Sequence, residues 1–319
     1  MRVFSSLEQF SAEFGHTFSG QQGQASTVVT IGKFDGIHLG HQRLIAEAVN
    51  QQTDTDLASV LVTFDRHPDA ILKPGQLRLP LIGATQKLAL IESLGIQNLL
   101  ILPFTSELAA QSAEDFVESV LLGALNAKSV VVGPDFRLGR GGACDVEGLK
   151  QIGAKLGFSV TTIDAVEIEG QKVSTSAIRD ALDSGRIKLA NAMFGRVHTT
   201  VGLVEHGLKI GRTIGFPTAN ISRDAEGYLP LDGVYAGWLI ADGVRYPAAH
   251  SVGINETFQA VPRLVESHVI GTLDLDLYDK VVTIEYVDYI RPPAKFDGVE
   301  ELVAEIHRDI AKIKTILGL

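Results

Sequence analysis

Thr30-Ile31-Gly32-Lys33-Phe34-Asp35-Gly36-Ile37-His38-Leu39-Gly40-His41-Gln42 is the stretch around which the chain is organised. The apolar pair Val28-Val29 precedes it, and an amphipathic run, Leu44-Ile45-Ala46-Glu47-Ala48-Val49, follows. This reads as strand, tight turn, helix. His38 and His41 stand three residues apart at the helix start, so both imidazoles face the same way across one turn. The helix N-terminus adds unpaired N–H groups and a positive dipole end, a corner suited to a polyphosphate. Gly32, Gly36 and Gly40 let the chain turn and let a ligand approach the backbone.

A pair of histidines alone would serve as well to cap the helix. The glycines, Asp35 and the preceding strand favour the phosphate reading. The His-x-Gly-His pattern is similar to the signature of nucleotidyltransferases, in which both histidines stabilise charge on the α-phosphate. The chain carries neither a Walker-type Gly-x-x-x-x-Gly-Lys-Ser/Thr nor a Gly-x-Gly-x-x-Gly.

From this turn onward, strands and helices alternate. Val60–Phe64, Asn98–Leu102, Ser129–Val132 and Ser159–Ile163 read as strands. Helices are expected over Ala84–Ser93, Ala113–Leu122 and Leu149–Leu156. Short apolar strands between helices imply a parallel sheet covered on both faces, with ligands at the carboxyl ends of its strands. Residues 1–24 read as a preamble with one amphipathic turn, Leu7–Phe14. After about Ala190 the pattern changes. Thr199–Val204, Gly233–Ile240, Ala248–Ile254, Leu264–Ile270 and Val281–Ile290 are strand-like, with no helices between them. That predicts an antiparallel barrel or sandwich. A helix closes the chain, with Val299, Leu302, Val303, Ile306, Ile310 and Ile313 on one stripe. Trp238 is expected in the barrel core.

Length and composition agree with two globular domains: 319 residues, 45% hydrophobic and 21% charged. A net charge of −10 argues against nucleic acid as a partner, yet leaves room for small anions at a locally positive site. The lone Cys144 makes no internal disulfide, which points to a reducing compartment. No secretory h-region and no run of membrane-span length is present, so a soluble cytoplasmic protein is expected. The oligomeric state stays open.

Four further stretches carry chemistry. Thr63-Phe64-Asp65-Arg66-His67-Pro68 leaves the second strand, and Pro68 holds His67 extended. Gly133-Pro134-Asp135-Phe136-Arg137-Leu138-Gly139-Arg140 places a carboxylate, an aromatic and two cations on a loop at another strand end. It is either a plain surface loop or part of a shared site. Lys172-Val173-Ser174-Thr175-Ser176-Ala177-Ile178-Arg179 enters a helix. Its hydroxyls cap that helix or hold phosphate, and the flanking cations favour phosphate. Gly207–Asn220 combines Gly207, Gly211 and Gly215 with Lys209 and Arg212, an anion-friendly flap. Thr218 and Asn220 lie two apart, on one face if extended, and their neutral oxygens beside phosphate suit Mg²⁺. Glu266 sits in a mostly apolar strand, either facing solvent or placed as a base. Asp274-Leu275-Asp276 lacks the rest of a calcium loop.

Together these stretches resemble the bacterial bifunctional riboflavin kinase/FAD synthetase family over most of the chain, from about Thr27 to Leu317. The resemblance implies a Rossmann-like nucleotidyltransferase domain over residues 1–187 and a riboflavin-kinase β-barrel over residues 188–319. It implies phosphorylation of riboflavin to FMN, then adenylylation of FMN to FAD, with ATP as co-substrate and Mg²⁺ as cofactor. The partners would be the small molecules riboflavin, FMN and ATP, with no nucleic acid and no membrane, and with oligomer formation left open. Alternatives are a single working domain or a flavin-binding protein without turnover. Gly32, Phe34, Asp35, His38, His41, Ser174, Thr175 and Arg179 would bind ATP for adenylylation; His67, Asp135 and Phe136 would bind flavin there. Gly211, Arg212, Gly215, Pro217, Thr218 and Asn220 would bind ATP in the kinase. Thr218 and Asn220 would hold the metal, and Glu266 would take the proton from the ribityl 5′-hydroxyl. The chain departs from the family pattern at Arg66 (usually Pro), Lys172 (usually Arg), Ser174-Thr175-Ser176 (usually Ser-Ser-Thr), Leu138 (usually aromatic) and Glu256 (usually Pro).

Overall fold

Mostly apolar runs of five to seven residues, flanked by turn signals, become the four central strands of a parallel sheet in the first half of the chain. The computed structural model describes residues 1–17, 25–72, 75, 79–207, 210–253, 263–272 and 275–319. Lys209, Ile254, Glu256 and Asp274 lie outside the described residues. Two compact units are present: residues 1–80 with 85–167, and residues 81–84 with 168–319.

In the first unit, β1 (Arg2–Phe4), β2 (Thr27–Ile31), β3 (Ala58–Phe64), β4 (Asn98–Leu102), β5 (Ala127–Val132) and β6 (Ser159–Thr162) form one sheet in the order β1-β4-β3-β2-β5-β6. Every pairing is parallel. The chain fills the sheet from β2 toward β4, then restarts on the other side of β2 with β5. The switch point therefore lies between β2 and β5, where open α/β sheets bind ligands. Around the sheet lie α1 (Leu7–Thr17), α2 (Leu39–Asp54), α3 (Asp69–Leu72), α4 (Ala84–Ser93), α5 (Ser106–Ala110), α6 (Ala113–Phe116) and α7 (Val146–Leu156). Val29, Ile31, Val60, Val62, Leu100, Val130 and Val132 join the core beneath α1 and the segment after α6. The alternate residues Val28, Leu61 and Val131 are equally buried, because α2 packs on β2, β3 and β5.

Two details differ from the sequence reading. The first residues are not a mere preamble: β1 pairs with β4, and Phe4, Phe10 and Phe14 are buried. The expected helix over Ala113–Leu122 forms, but beyond α6 it widens over Val117–Ala124. There Leu125 N–H donates to the Val120 carbonyl five residues back, at 3.0 Å.

A two-stranded ribbon, β7 (Glu167–Ile168) and β8 (Gln171–Lys172), spans the start of the second unit's long segment at Ile168. Two helices follow, α8 (Thr175–Asp183) and α9 (Ile187–Phe194). The strands β9 (His198–Glu205), β10 (Ala219–Ile221), β11 (Gly233–Ala241), β12 (Val244–Gly253), β13 (Leu264–Val269) and β14 (Val281–Arg291) close a barrel in the order β10-β13-β12-β11-β14-β9. All its pairings are antiparallel, and β9 with β10 completes the ring. The short helix α10 (Ile210–Thr213) precedes β10, and α11 (Val299–Leu317) ends the chain.

Asn191 of α9 stitches the barrel's entry: its amide donates to the Tyr286 carbonyl at 2.8 Å and accepts from His198 N–H at 2.7 Å. Tyr235, Gly237 and Leu239 share the inner face of β11 and are buried. Trp238 lies on the other face, half-buried under the Arg245 guanidinium at 4.2 Å, so it is not the core residue expected. Ile313 of α11 covers Ala236 and Ile270, with Ile310 alongside. Val299 is exposed, so the apolar stripe of α11 begins at Leu302 rather than Val299.

Candidate active sites

The first site grows from the exit of β2. His38 is the N-cap of α2, with extended backbone, and its Nδ1 accepts the His41 N–H over a long 3.4 Å. An accepting Nδ1 leaves the ring proton on Nε2. The His38 and His41 rings stack, 3.7 Å between centroids. Phe34 backs His41 at 5.1 Å. Gln42 secures the turn by donating its amide to the Ile37 carbonyl at 2.9 Å.

That turn holds uncommon backbone. Phe34 has φ 48°, Gly36 φ 89° and Ile37 φ 40°. Positive φ costs on the order of 1–3 kcal/mol at such non-glycine residues, and most at a β-branched one. Complete burial of Phe34 and Ile37 offsets it. The preceding carbonyl, that of Lys33, accepts two donors: Lys87 Nζ at 2.8 Å and Thr63 Oγ1 at 3.1 Å. Lys87 also donates to Thr63 Oγ1 at 2.8 Å. Burial pulls the Lys87 ammonium down to about 8, partly opposed by Asp35.

The other expected residues of this unit sit on neighbouring strand ends. His67 Nδ1 accepts the Asp69 N–H at 3.1 Å. Arg66 binds Asp65 at 2.7 Å. That hydrogen bond, more than the Phe104 N–H that Asp65 also accepts, holds the Asp65 carboxyl below its usual range. Asp135 is exposed, while Phe136 packs partly against the core. Their loop follows β5, which pairs with β2 in register from Val28↔Ser129 to Thr30↔Val131. Leu138 is buried, and its backbone pairs with Cys144.

Ser174, Thr175 and Arg179 fall in the second unit. Ser174 Oγ caps α8 by accepting the Ala177 N–H at 3.1 Å, the capping role that sequence reasoning ranked second. The Arg179 guanidinium lies over the Tyr228 ring at 4.6 Å.

The second site is a cavity of about 650 Å³ between the barrel and α11. One wall carries Gly207, Gly211, Thr218, Asn220 and Glu266. β10 and β13 place Asn220 directly opposite Glu266, and the pleat puts both side chains on one face. A side chain on Gly207 would collide with the Asn220 amide, and one on Gly211 with the Phe216 carbonyl. Arg212 and Pro217 line a smaller pocket with Thr218, and Gly215 lines neither. The Pro217 carbonyl accepts from His268 Nδ1 at 2.8 Å. Burial raises the Glu266 carboxyl above its usual range, making it a better proton acceptor.

The end of the chain adds apolar lining to the same cavity: Pro293, Ala294, Phe296, Leu302 and Ile306. Sequence reasoning assigned Leu302 and Ile306 to a core stripe, because helix periodicity does not say whether the buried face meets protein or ligand. Asp309, 3% exposed, fastens α11 to the end of β14 through Arg291 at 2.9 Å. The ring of Phe216 meets His268 and His307 edge-on, at 5.4 and 5.2 Å. Among the described residues, no group of three His, Cys, Asp or Glu side chains could hold a metal, and no helix is long and apolar enough to cross a membrane.

The chain is similar to known proteins in sequence and in fold. Residues 20–177 match the model of the FAD synthetase family and residues 194–317 that of riboflavin kinase. A bifunctional riboflavin kinase/FMN adenylyltransferase of Listeria monocytogenes is 34% identical over 286 residues, 88% of this chain and 90% of the relative. Its Bacillus subtilis counterpart is 33% identical, over 90% of this chain and 91% of the relative. A crystal structure titled macrolide-efflux protein, from Streptococcus pneumoniae, superposes with a TM-score of 0.84 at 32% identity, over 92% of this chain and 95% of that one. The chain belongs to the bifunctional riboflavin kinase/FMN adenylyltransferase family.

Proposed function

We propose that the barrel cavity phosphorylates riboflavin to FMN with ATP, and that the turn after β2 adenylylates FMN to FAD, releasing pyrophosphate. Residues 188–319 carry the first reaction and residues 1–187 the second. This boundary falls between the two family matches, which end at 177 and begin at 194.

One observation carries the kinase reading: Thr218, Asn220 and Glu266 line the same cavity as Phe296, Leu302 and Ile306. Such a cavity suits a molecule with a flat apolar ring and a polyol tail. The isoalloxazine lies against the apolar wall, and the ribityl chain points its 5′-hydroxyl at Glu266. Glu266 accepts that proton as the oxygen bonds to the γ-phosphorus and the bond to ADP breaks. Gly211 lets the flap's backbone lie close over the phosphates, with Arg212, Gly215 and Pro217 in the same segment. Thr218 Oγ1 and the Asn220 amide oxygen are neutral hard donors. They fit Mg²⁺ arriving with ATP, which offsets phosphate charge when bound.

For adenylylation, an FMN phosphate oxygen attacks the α-phosphorus of ATP and the bond to pyrophosphate breaks. His38 and His41, at the N-terminus of α2, place ring N–H groups and backbone donors where charge builds. Gly32, Phe34 and Asp35 shape the turn, and His67, Asp135 and Phe136 hold the flavin. A chain with one cysteine suits the reducing cytoplasm.

The test is a mixture of the protein with riboflavin, ATP and Mg²⁺, its products separated by chromatography. FMN and FAD should both form, and neither once the metal is chelated. FMN alone, or FAD only from supplied FMN, would leave one working domain. No product would make the chain a binding protein.

A further inference from the structure

We propose that Lys87 is a positioning residue for adenylylation: it pins the Lys33 carbonyl and so fixes the turn that presents His38 and His41. The proposal rests on the reading that these histidines act in adenylyl transfer.

Lys87 lies on α4, outside every motif discussed above, at a position where a helical lysine ordinarily reaches solvent. Instead its ammonium joins a closed triangle. It donates to the Lys33 carbonyl and to Thr63 Oγ1, and the Thr63 hydroxyl donates to the same carbonyl. Three elements meet there: α4, the end of β3 and the turn after β2. Thr63 is 2% exposed and anchors the triangle from the buried side, while the half-buried Lys87 reaches the Lys33 carbonyl from the solvent side.

The Lys33 carbonyl belongs to the peptide plane whose rotation about the next N–Cα bond is the φ of Phe34. Holding that oxygen holds the φ of 48°. Phe34 is fully buried, and its ring backs His41, which stacks on His38. A direct path thus runs from Lys87 through the Lys33 carbonyl and the Phe34 ring to both imidazoles. The Thr63 hydroxyl alone would leave that carbonyl with one neutral donor. An ammonium supplies a charge-assisted bond, at the expense of desolvating a cation. Asp35, in the same turn, is the anion that partly offsets that burial.

Because Lys87 acts through the histidines, its removal should slow the chemical step and spare substrate binding. The experiment compares Lys87→Met, Lys87→Arg, Thr63→Val, the Lys87→Met/Thr63→Val double variant and His41→Ala in the full chain. FAD formation from FMN is read as kcat and KM, with riboflavin phosphorylation in the same molecule as internal control. Lys87→Met should lower kcat for FAD about 10- to 100-fold, the scale of a misplaced catalytic group. Both KM values should stay within about twofold and the kinase should be unaffected. Lys87→Arg should recover part of the loss. Thr63→Val should cost less, and the double variant no more than Lys87→Met, since both act on one carbonyl.

An unchanged kcat in Lys87→Met, with His41→Ala impaired, overturns the proposal. So does a raised KM for ATP at constant kcat, which would make Lys87 an ATP-binding residue, and so does simple additivity in the double variant. If Lys87→Met loses its folded circular dichroism, Thr63→Val decides, and a wild-type kcat there overturns the proposal. A harmless His41→Ala removes the underlying reading instead.

Discussion

Asn220 on β10 stands directly across from Glu266 on β13, a pairing made by strand register within the closed barrel. The neutral oxygen that would meet the metal and the carboxylate that would take the proton are thus set by one ladder. Glu266→Gln keeps the shape and removes the base. It should cost the kinase about 10²–10⁴-fold, while FAD formation from supplied FMN continues. Rates of FMN and FAD production from one preparation check this; equal loss of both would mean a single coupled site. Because burial raises the Glu266 carboxyl, the acid limb of kcat/KM for riboflavin should lie above the usual carboxylate pKa of about 4.3.

His38 has two jobs that substitutions separate. As N-cap it closes the first turn of α2, and in the proposed adenylylation its imidazole would face the phosphate. His38→Asn keeps a good cap, whereas His38→Ala loses it, at about 1 kcal/mol. Both variants, like His41→Ala, should lower FAD formation by roughly 10²-fold or more. Melting temperature should fall for His38→Ala and not for His38→Asn. Near-normal FAD synthesis in all three would remove these histidines from the chemistry.

The Arg291–Asp309 pair joins α11 to the barrel while forming part of the cavity wall. Asp309→Ala leaves a largely buried guanidinium without its main partner, with Glu305 farther off at 3.6 Å. The loss should be on the order of 3 kcal/mol. With α11 loosened, the apolar wall at Leu302 and Ile306 should grip riboflavin less well. KM for riboflavin should then rise more than kcat falls, as steady-state kinetics beside chemical denaturation would register.

Two buried histidines make the barrel half sensitive to acid. Burial, together with nearby Arg196, lowers His198 to about 4, although its ring bonds the Tyr228 carbonyl at 2.7 Å. Burial lowers His250 to about 3, in a site it shares with Ser267 and Tyr286. In the unfolded chain both titrate near 6.5. Above that value neither state is protonated, and stability is flat with respect to these groups. Between about 6.5 and 4 only the unfolded chain takes up protons, so stability falls as pH falls. The slope approaches about 1.4 kcal/mol per pH unit for each histidine. Melting temperature measured from pH 7.5 to 4.5 should show this decline, with a shallower slope in His250→Asn; parallel curves would contradict it.

The buried strands of the sheet were legible because both faces are covered, which leaves unbroken apolar runs such as Val60–Val62 and Leu99–Leu100. β1 was not, because three residues at a sheet edge, Arg2-Val3-Phe4, carry no pattern long enough to read. Trp238 was misplaced because hydrophobic size says nothing about which face of a strand is inward; that depends on the alternation through Tyr235, Gly237 and Leu239. The histidine turn, the Thr218–Asn220 pair and Glu266 were visible as unusual residues in unusual places. Lys87 was invisible, because a lysine on an amphipathic helix looks solvated until the fold brings the Lys33 carbonyl against it. Phe296, Leu302 and Ile306 were visible only as apolar residues, and the cavity gives them their meaning.

The two halves of the chain also differ in how they meet other chains while folding. The barrel closes β9 onto β10, so its six strands form a ring without a free rim. The parallel sheet ends at β1 and β6. A free rim is a template for strand addition from a neighbour, and its hazard grows with length and flatness. Here one rim is three residues long, with Arg2 at its start, and the other is four, Ser159-Val160-Thr161-Thr162, polar at three positions. Each is too short to hold a foreign strand in register. For the described sheet and barrel, resistance to misassembly is a matter of brevity in one half and closure in the other.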